Sequence, residues 1–218
     1  MKLIDLLGQY GDTLLSGLAI TVKLTILGML FACIIGILCA LINVSHNKIL
    51  KVIANIYINI IRGTPFLVQA YIIYFGLPML LDIRMPETTA GIIAISLNAG
   101  AYMAEIMRGG IEAVDKGQME AARSLGLPYP KAMMKVILPQ AVRTMAPSLI
   151  NQFIITLKDT SILSVIGIRE LTMAGKLVIA RNYESMAIWT LVALFYFVII
   201  YAITKTARYI ERKTAYGK

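Results

Sequence analysis

Charge is scarce in this chain. Only 15% of its 218 residues are Asp, Glu, Lys or Arg, against 58% hydrophobic, and the mean hydropathy is +0.75. A soluble domain carries roughly a quarter charged residues to cover its surface. Lipid is therefore the expected solvent. Cysteine is nearly absent too. Cys33 and Cys39 stand in one apolar run; on a helix that spacing is about 600° of rotation, so they face apart and exclude a CxxC pair and a mutual disulfide. His46 is the single histidine and reads as an exposed loop residue. No His, Cys, Asp and Glu cluster has metal-ligand spacing, so no metal and no cofactor is expected. A GxxxxGK[ST] loop is missing as well: Gly175-Lys176 is followed by Leu177, so the chain does not cradle ATP itself. The N-terminus has one early Lys, and Asp5 breaks its apolar stretch. No cleavable signal peptide is read there.

What is present is a set of apolar runs. Residues 24–42 are uncharged and long enough to cross about 30 Å of hydrocarbon. Gly28, Ala32, Gly36 and Ala40 recur every four residues, a small-residue stripe that admits a neighbouring helix closely. Lys23 opens the run and can snorkel. Residues 43–64 read as an amphipathic interfacial helix ending in Arg62-Gly63-Thr64-Pro65. Further spans are expected at 65–81, 88–104, 144–168 and 185–204, the fourth split by Lys158-Asp159-Thr160-Ser161 and preceded by a polar loop at 109–143. Residues 169–184 read as polar. The expected fold is an all-α integral membrane protein of five transmembrane helices.

The net charge is +9. On a soluble protein that balance suggests nucleic acid. Here the basic residues lie between and after apolar runs, so the charge is read as topology. Loops 43–64 and 109–143 and the tail hold thirteen Lys and Arg, including Lys48, Lys51, Arg123, Lys131, Arg212, Lys213 and Lys218. The opposite side holds five: Lys2, Arg84, Arg169, Lys176 and Arg181. The positive-inside rule puts the long loop and the C-terminus in the cytoplasm and the N-terminus outside.

That long loop contains EAARSLGLPYPKAMMKVILPQA, residues 120–141. Its local chemistry predicts two short helices. Asp115 with Gln118 forms a capping box before the first, and Gly126 suits a left-handed C-cap. Pro130 fits the first position of the second, KAMMKVIL, though a Ser or Thr in place of Tyr129 would cap it better. Pro139 ends or kinks it. Helices this short need something to pack against. Leu125, Leu127, Met133, Met134, Val136 and Ile137 are expected to face the membrane part of the chain. Ala121, Ala122 and Gly126 leave a shallow surface for another protein.

Glu120-Ala121-Ala122, Gly126 and Ile137-Leu138-Pro139 together resemble the EAA loop of ATP-binding-cassette (ABC) importer permeases. Arg62-Gly63-Thr64-Pro65 with FLVQ, SLNAGAYMAEIMRGGI (96–111) and LKDTSILSVIG (157–167) are similar to the polar amino acid subgroup. The resemblance runs from about residue 10 to the end. It implies one permease domain over 1–218, with 109–143 as its cytoplasmic coupling loop between helices 3 and 4. It implies coupling through Glu120, Ala121, Ala122, Arg123, Gly126, Leu138 and Pro139 to a separate ATPase subunit that binds the ATP. It also implies a second permease subunit, identical or homologous, an extracytoplasmic amino-acid-binding protein, and a prokaryotic inner membrane. The alternative class is an ATP-independent carrier or channel, which has no need of a docking loop.

A transported amino acid brings charges that cannot be buried unpaired. The polar residues stranded in the spans are Gln69, Asn98, Tyr102, Glu105, Lys158, Asp159, Thr160 and Ser161. Asn98, Tyr102 and Glu105 share one helical face, and a break at 158–161 would offer unwound backbone or helix ends. Asp159 and Glu105 suit a cationic side chain, which favours basic amino acids such as arginine. Structural roles stay open: Asn98 bonding a neighbouring helix, Glu105 pairing with Arg108, and Lys158 neutralising Asp159.

Overall fold

The computed structural model describes residues 2–44 and 47–215, with side chains from 3–43 and 47–209. His46 and the tail side chains of Arg212, Lys213 and Lys218 lie outside the described residues. No strand occurs among those described. The helices are α1 (Lys2–Val44), α2 (Lys48–Arg62), α3 (Phe66–Leu81), α4 (Glu87–Glu112), α5 (Lys116–Ser124), α6 (Tyr129–Ile166), α7 (Leu171–Asn182) and α8 (Ser185–Ala215). Four of them are long and apolar enough to cross a membrane alone. The pair α2 and α3, bent by 107°, passes as a fifth span.

Helix α1 begins far earlier than the first apolar run. At 43 residues it is about 65 Å long, roughly twice the hydrocarbon thickness. Asp5 interrupts the hydrophobicity but not the helix, because it lies in the first turn, where a carboxylate complements the helix dipole. The N-terminal half buries Leu6 and Leu14 against α7 and the start of α8. The stretch 169–184 is likewise not a polar loop. It carries α7, which buries Leu171, Ala174, Gly175 and Val178. Those positions are spaced i, i+3, i+4 and i+7, an apolar stripe hidden among polar neighbours.

The small-residue stripe of α1 meets α4, and the two helices run parallel. A Cβ on Gly28 would collide with Ile95 Cγ2, and one on Gly36 would sit 2.8 Å from Met103 Cβ. The same eight-residue step on both helices fixes their direction. Ala32 and Cys39 are buried with this seam, and both cysteines are free.

Two prolines are accommodated by one device. Pro78 and Pro139 each follow a leucine, and each Leu-Pro is preceded by five residues of π-helix, Ile72–Gly76 and Met133–Ile137. Leu77 N–H bonds Ile72 C=O, and Leu138 N–H bonds Met133 C=O. A proline in a helix clashes with the carbonyl four residues back and lacks an N–H. The wider π turn carries the ladder across that site. So Pro139 does not end the second loop helix; that helix runs on into the fourth span. Nor is α6 unwound at 158–161. It tightens into a 3₁₀ helix over Thr160–Ile166 and stops at Gly167, whose φ of +90° suits glycine.

Candidate functional site

The bend between α2 and α3 is built around Gln69. The last carbonyls of a helix have no partner within it. Gln69 Nε2 donates toward Ile61 C=O (2.7 Å), Thr64 C=O (3.0 Å) and Thr64 Oγ1 (2.9 Å). Its Oε1 accepts from Asn98 Nδ2 at 2.9 Å. Both side chains are buried. The two amides thus lock the bend to α4. We expect Gln69→Leu to destabilise the chain more than Asn98→Leu, which should cost about 1–2 kcal/mol, because only the former strands the carbonyls of the bend. Thermal unfolding in detergent reads the order. If Asn98→Leu is the more damaging, Asn98 has a further partner.

One turn and two turns further along α4 stand Tyr102 and Glu105, on the face the spacing predicted. The structure adds Arg62, from the end of α2, to this face. Arg62 Nη1 lies 3.0 Å from Glu105 Oε2, and its guanidinium lies 5.5 Å from the Tyr102 ring centre. Arg108 grips the same carboxylate through two bonds of 3.0 Å and reaches Glu112 at 2.6 Å. Glu105 therefore already faces two arginines.

Lys158, Asp159, Thr160 and Ser161 form a second group at the α-to-3₁₀ transition. No hydrogen bond joins it to the first group among the described residues. Thr160 is fully buried and donates to Leu157 C=O at 2.7 Å. Lys158 is exposed and Asp159 half-buried. Among the described residues Asp159 has no ion pair within 4 Å. The 3₁₀ segment after it packs Leu163 and Ile166 against Ala70, Ile73 and Ala94, which brings α6 onto α3 and α4.

A polar knot absent from the sequence reading lies at α7. Glu170 is 0% exposed. Its Oε1 accepts from Met173 N–H (2.8 Å), and its Oε2 from Thr172 N–H (2.9 Å) and the Tyr196 hydroxyl (3.0 Å). Thr21 Oγ1 accepts from Leu171 N–H at 3.2 Å. The carboxylate caps α7 and ties it to α8, with α1 joined alongside. Burial pushes the Glu170 carboxyl above the usual range, and the donors around it pull back only in part.

The loop helix α5 forms where the capping chemistry put it. Asp115 accepts from Gly117 N–H at 2.6 Å. Gln118 does not reach back to complete the box; its Oε1 accepts from Gln140 Nε2 at 3.4 Å instead. Gly126 takes φ +83°, and Leu127 N–H closes onto Ala122 C=O, a Schellman-type end. Helix α6 starts one residue earlier than expected: Pro128 is its N-cap, so Tyr129 lies inside the helix instead of at the cap, and no side chain caps it.

The apolar residues of the loop do not all turn inward. Ala122, Ala132 and Ile137 are buried, but Leu125 is 84% and Met134 64% exposed. Ala122 is therefore part of the packing of α5 and not of its open surface. Around Leu125, Glu120 and Ala121 are exposed, as are Arg123, Gly126 and Pro139, while Leu138 is half-buried. Arg123 Nη1 donates to Leu127 C=O at 3.3 Å. Large apolar side chains exposed on a polar loop mark a contact surface more often than chance.

A helical membrane protein with a bent second span and a structured loop before its fourth is the class these features define. The model of the binding-protein-dependent transport system inner membrane component family matches residues 32–216. The chain belongs to that family, as the EAA-loop resemblance implied. It is 41% identical over 201 residues to the glutamine transport system permease protein GlnP of Escherichia coli K12, covering 92% of each chain. It is 38% identical over 200 residues to the arginine transport system permease protein ArtQ of Bacillus subtilis, covering 92% of this chain and 91% of that one. The crystal structure of an amino acid ABC transporter with histidines superposes with a TM-score of 0.91 at 41% identity, over 95% of this chain and 96% of that one. The MetNI methionine ABC transporter shares the fold alone, with a TM-score of 0.73 at 18% identity over 96% and 97%.

Proposed function

We propose that this chain is the membrane-spanning subunit of an ATP-driven importer of polar amino acids. A separate ATPase subunit binds and hydrolyses the ATP. A second permease subunit, identical or homologous, completes the pathway, and an extracytoplasmic binding protein delivers the substrate. The whole of 1–218 acts as one permease domain in the inner membrane, with the N-terminus outside and the C-terminus cytoplasmic. Residues 109–143 are its cytoplasmic coupling loop.

The observation that carries the reading is the loop surface. Leu125 and Met134 stand exposed on the same loop as Glu120, and no described segment of the chain covers them. An ATPase groove that buries them would convert closure of two ATPases on ATP into motion of α6, since α5 is fastened to α6 through Gln118 and Gln140. The π turn at Met133–Ile137 is where that motion enters the span. Glu120, Ala121, Arg123 and Gly126 supply the contact in this reading, with Ala122, Leu138 and Pro139 holding its shape.

For substrate we infer contact by Tyr102, Glu105, Lys158, Asp159 and Ser161, with Gln69, Asn98 and Thr160, buried and bonded within the chain, holding that surface in shape. Asp159 has the stronger case among the carboxylates, because Glu105 is already held by Arg62 and Arg108. A carboxylate with no ion pair within 4 Å among the described residues, at the α-to-3₁₀ transition, suits a cationic side chain, and so favours basic amino acids such as arginine. The relatives are named for glutamine and for arginine, so the class rests on Asp159. Asp159→Asn should weaken uptake of basic amino acids about tenfold more than of neutral ones, the loss of one charged contact. Equal losses would remove the cationic preference.

The decisive test is a pull-down of the tagged chain in mild detergent, with an ATPase assay across a panel of amino acids and binding protein. A co-purifying ATPase stimulated by one class supports the importer. A chain that purifies alone and moves solute in liposomes without ATP replaces it with a carrier or channel.

A further inference from the structure

The C-terminal end of α1, the start of α2, the end of α4 and the start of α6 converge at the loop side of the molecule. Two cavities open there and share Ala40, Ile111 and Met133. The inner one, of about 350 Å³, is lined entirely by side chains without nitrogen or oxygen, among them Ile37, Leu41, Met107, Val142 and Leu149. The outer one, of about 460 Å³, has a mixed lining: Asn43, Lys51, Asn55, Arg108, Glu112 and Tyr129 stand beside the three shared apolar residues. Each falls in the range of ligand sites, about 300–1,000 Å³.

Their chemistry is graded along one direction. Arg108 is neutralised by Glu105 and Glu112. Lys51 has no carboxylate within 4 Å among the described residues, so it leaves the mouth with an uncompensated positive charge. Asn43, Asn55 and Tyr129 add neutral donors. Below them the wall is purely apolar, and three of its residues, Ile37, Leu41 and Val142, are each about half exposed or more. The inner cavity therefore opens sideways, where the span meets hydrocarbon. An amino acid substrate has no match for that chamber. An inorganic anion would leave it empty.

We propose that this composite cavity binds one anionic phospholipid, its phosphate against Lys51 and an acyl chain in the chamber between α1, α4 and α6. Its leaflet is the cytoplasmic one, which rests on the orientation given above. Cytoplasmic leaflets carry the anionic headgroups that juxtamembrane lysines attract. The chain would wedge against Met133, the first residue of the π turn, so the lipid and the coupling loop act on the same joint.

The test is to purify the full chain, with whatever subunits accompany it, in mild detergent and to quantify retained phospholipid by mass spectrometry. The wild type should keep phosphatidylglycerol in preference to phosphatidylcholine. Lys51→Glu should lower the retained anionic lipid roughly tenfold or more, and Lys51→Arg should restore it. Ala40→Phe, which fills the junction of the two chambers, should lower it with the charge left intact. Wild-type retention in both Lys51→Glu and Ala40→Phe would overturn the site. So would displacement of the lipid by inorganic phosphate, which would make it a simple anion site. Efficient cross-linking of Leu41→Cys to a second copy in native membranes would also overturn it, because protein would then cover the opening. The co-purifying ATPase is scored separately, so loss of the lipid site and loss of the importer reading are distinguishable.

Discussion

Glu120→Lys should leave the chain inserted and folded while cutting substrate-stimulated ATP hydrolysis roughly 30-fold or more. Glu120 is exposed on α5 and makes no hydrogen bond or ion pair among the described residues. Surface changes of that kind move stability by only about 0.5 kcal/mol. What the substitution changes is the sign of charge offered to a partner. Reversing a charge in a docked interface costs about 2–5 kcal/mol, which is the size of the expected loss. Glu120→Gln should fall between. The measurements are co-purification of the ATPase, then transport and hydrolysis in proteoliposomes. A Glu120→Lys chain that holds its ATPase and transports at the wild-type rate would refute the docking surface. One that fails to insert would show that Glu120 has an internal role instead.

Gly36→Leu should be the most damaging single change in the membrane part, by roughly 3 kcal/mol or more. The atoms waiting for its Cβ include backbone: Ala104 N and Met103 C, both at 3.3 Å, behind Met103 Cβ at 2.8 Å. Backbone cannot rotate aside, so α1 and α4 must separate and the seam from Gly28 to Cys39 opens with them. Gly28 is met as closely, by Cγ2 and Cβ of the β-branched Ile95, which is stiff at χ1, so Gly28→Ala should be destabilising too, though less than Gly36→Leu because it adds one carbon and meets no backbone. Gly109 has nothing within 4 Å, and Gly109→Ala should be neutral or slightly stabilising. Thermal midpoints in detergent give the ranking. Equal loss at Gly36 and Gly109 would mean that the parallel packing of α1 on α4 does not hold the fold together.

The seam shows where the sequence was readable. Glycine and alanine at every fourth position announce a close neighbour on their own. They do not say which helix comes, because the partner's side of the contact, Ile95 and Met103, looks like any apolar surface. The N-terminal half of α1 was hidden for a related reason. A hydropathy reading registers Asp5, Gln9 and Asp12 as the end of a span, whereas the backbone registers only whether each residue tolerates helix. Helix α7 was missed because Lys176 and Arg181 on its outer face mask a regular apolar stripe.

The candidate site divides similarly. The face shared by Asn98, Tyr102 and Glu105 follows from spacing within one helix. The Arg62 contact needs the 107° bend, which no local pattern encodes, although Gly63-Thr64-Pro65 marks its place. Leu125 and Met134 look like packing residues in the sequence because apolar residues usually turn inward. Their exposure depends on how α5 and the start of α6 pack on each other, with Ala122, Ala132 and Ile137 turned inward.

Rotation along a helix is a matter of counting. Each residue turns the chain by about 100°, and a π turn holds one more residue than the α turn it replaces. The stretch Met133–Ile137 therefore sets the angle at which everything before it leaves the membrane. Removing one residue there, with every contact of the loop otherwise intact, would swing the exposed edge of α5 by more than a quarter of a circle. The direction in which the loop faces is written in the length of five residues, and a chain with perfect docking chemistry but one residue fewer would aim it at empty water.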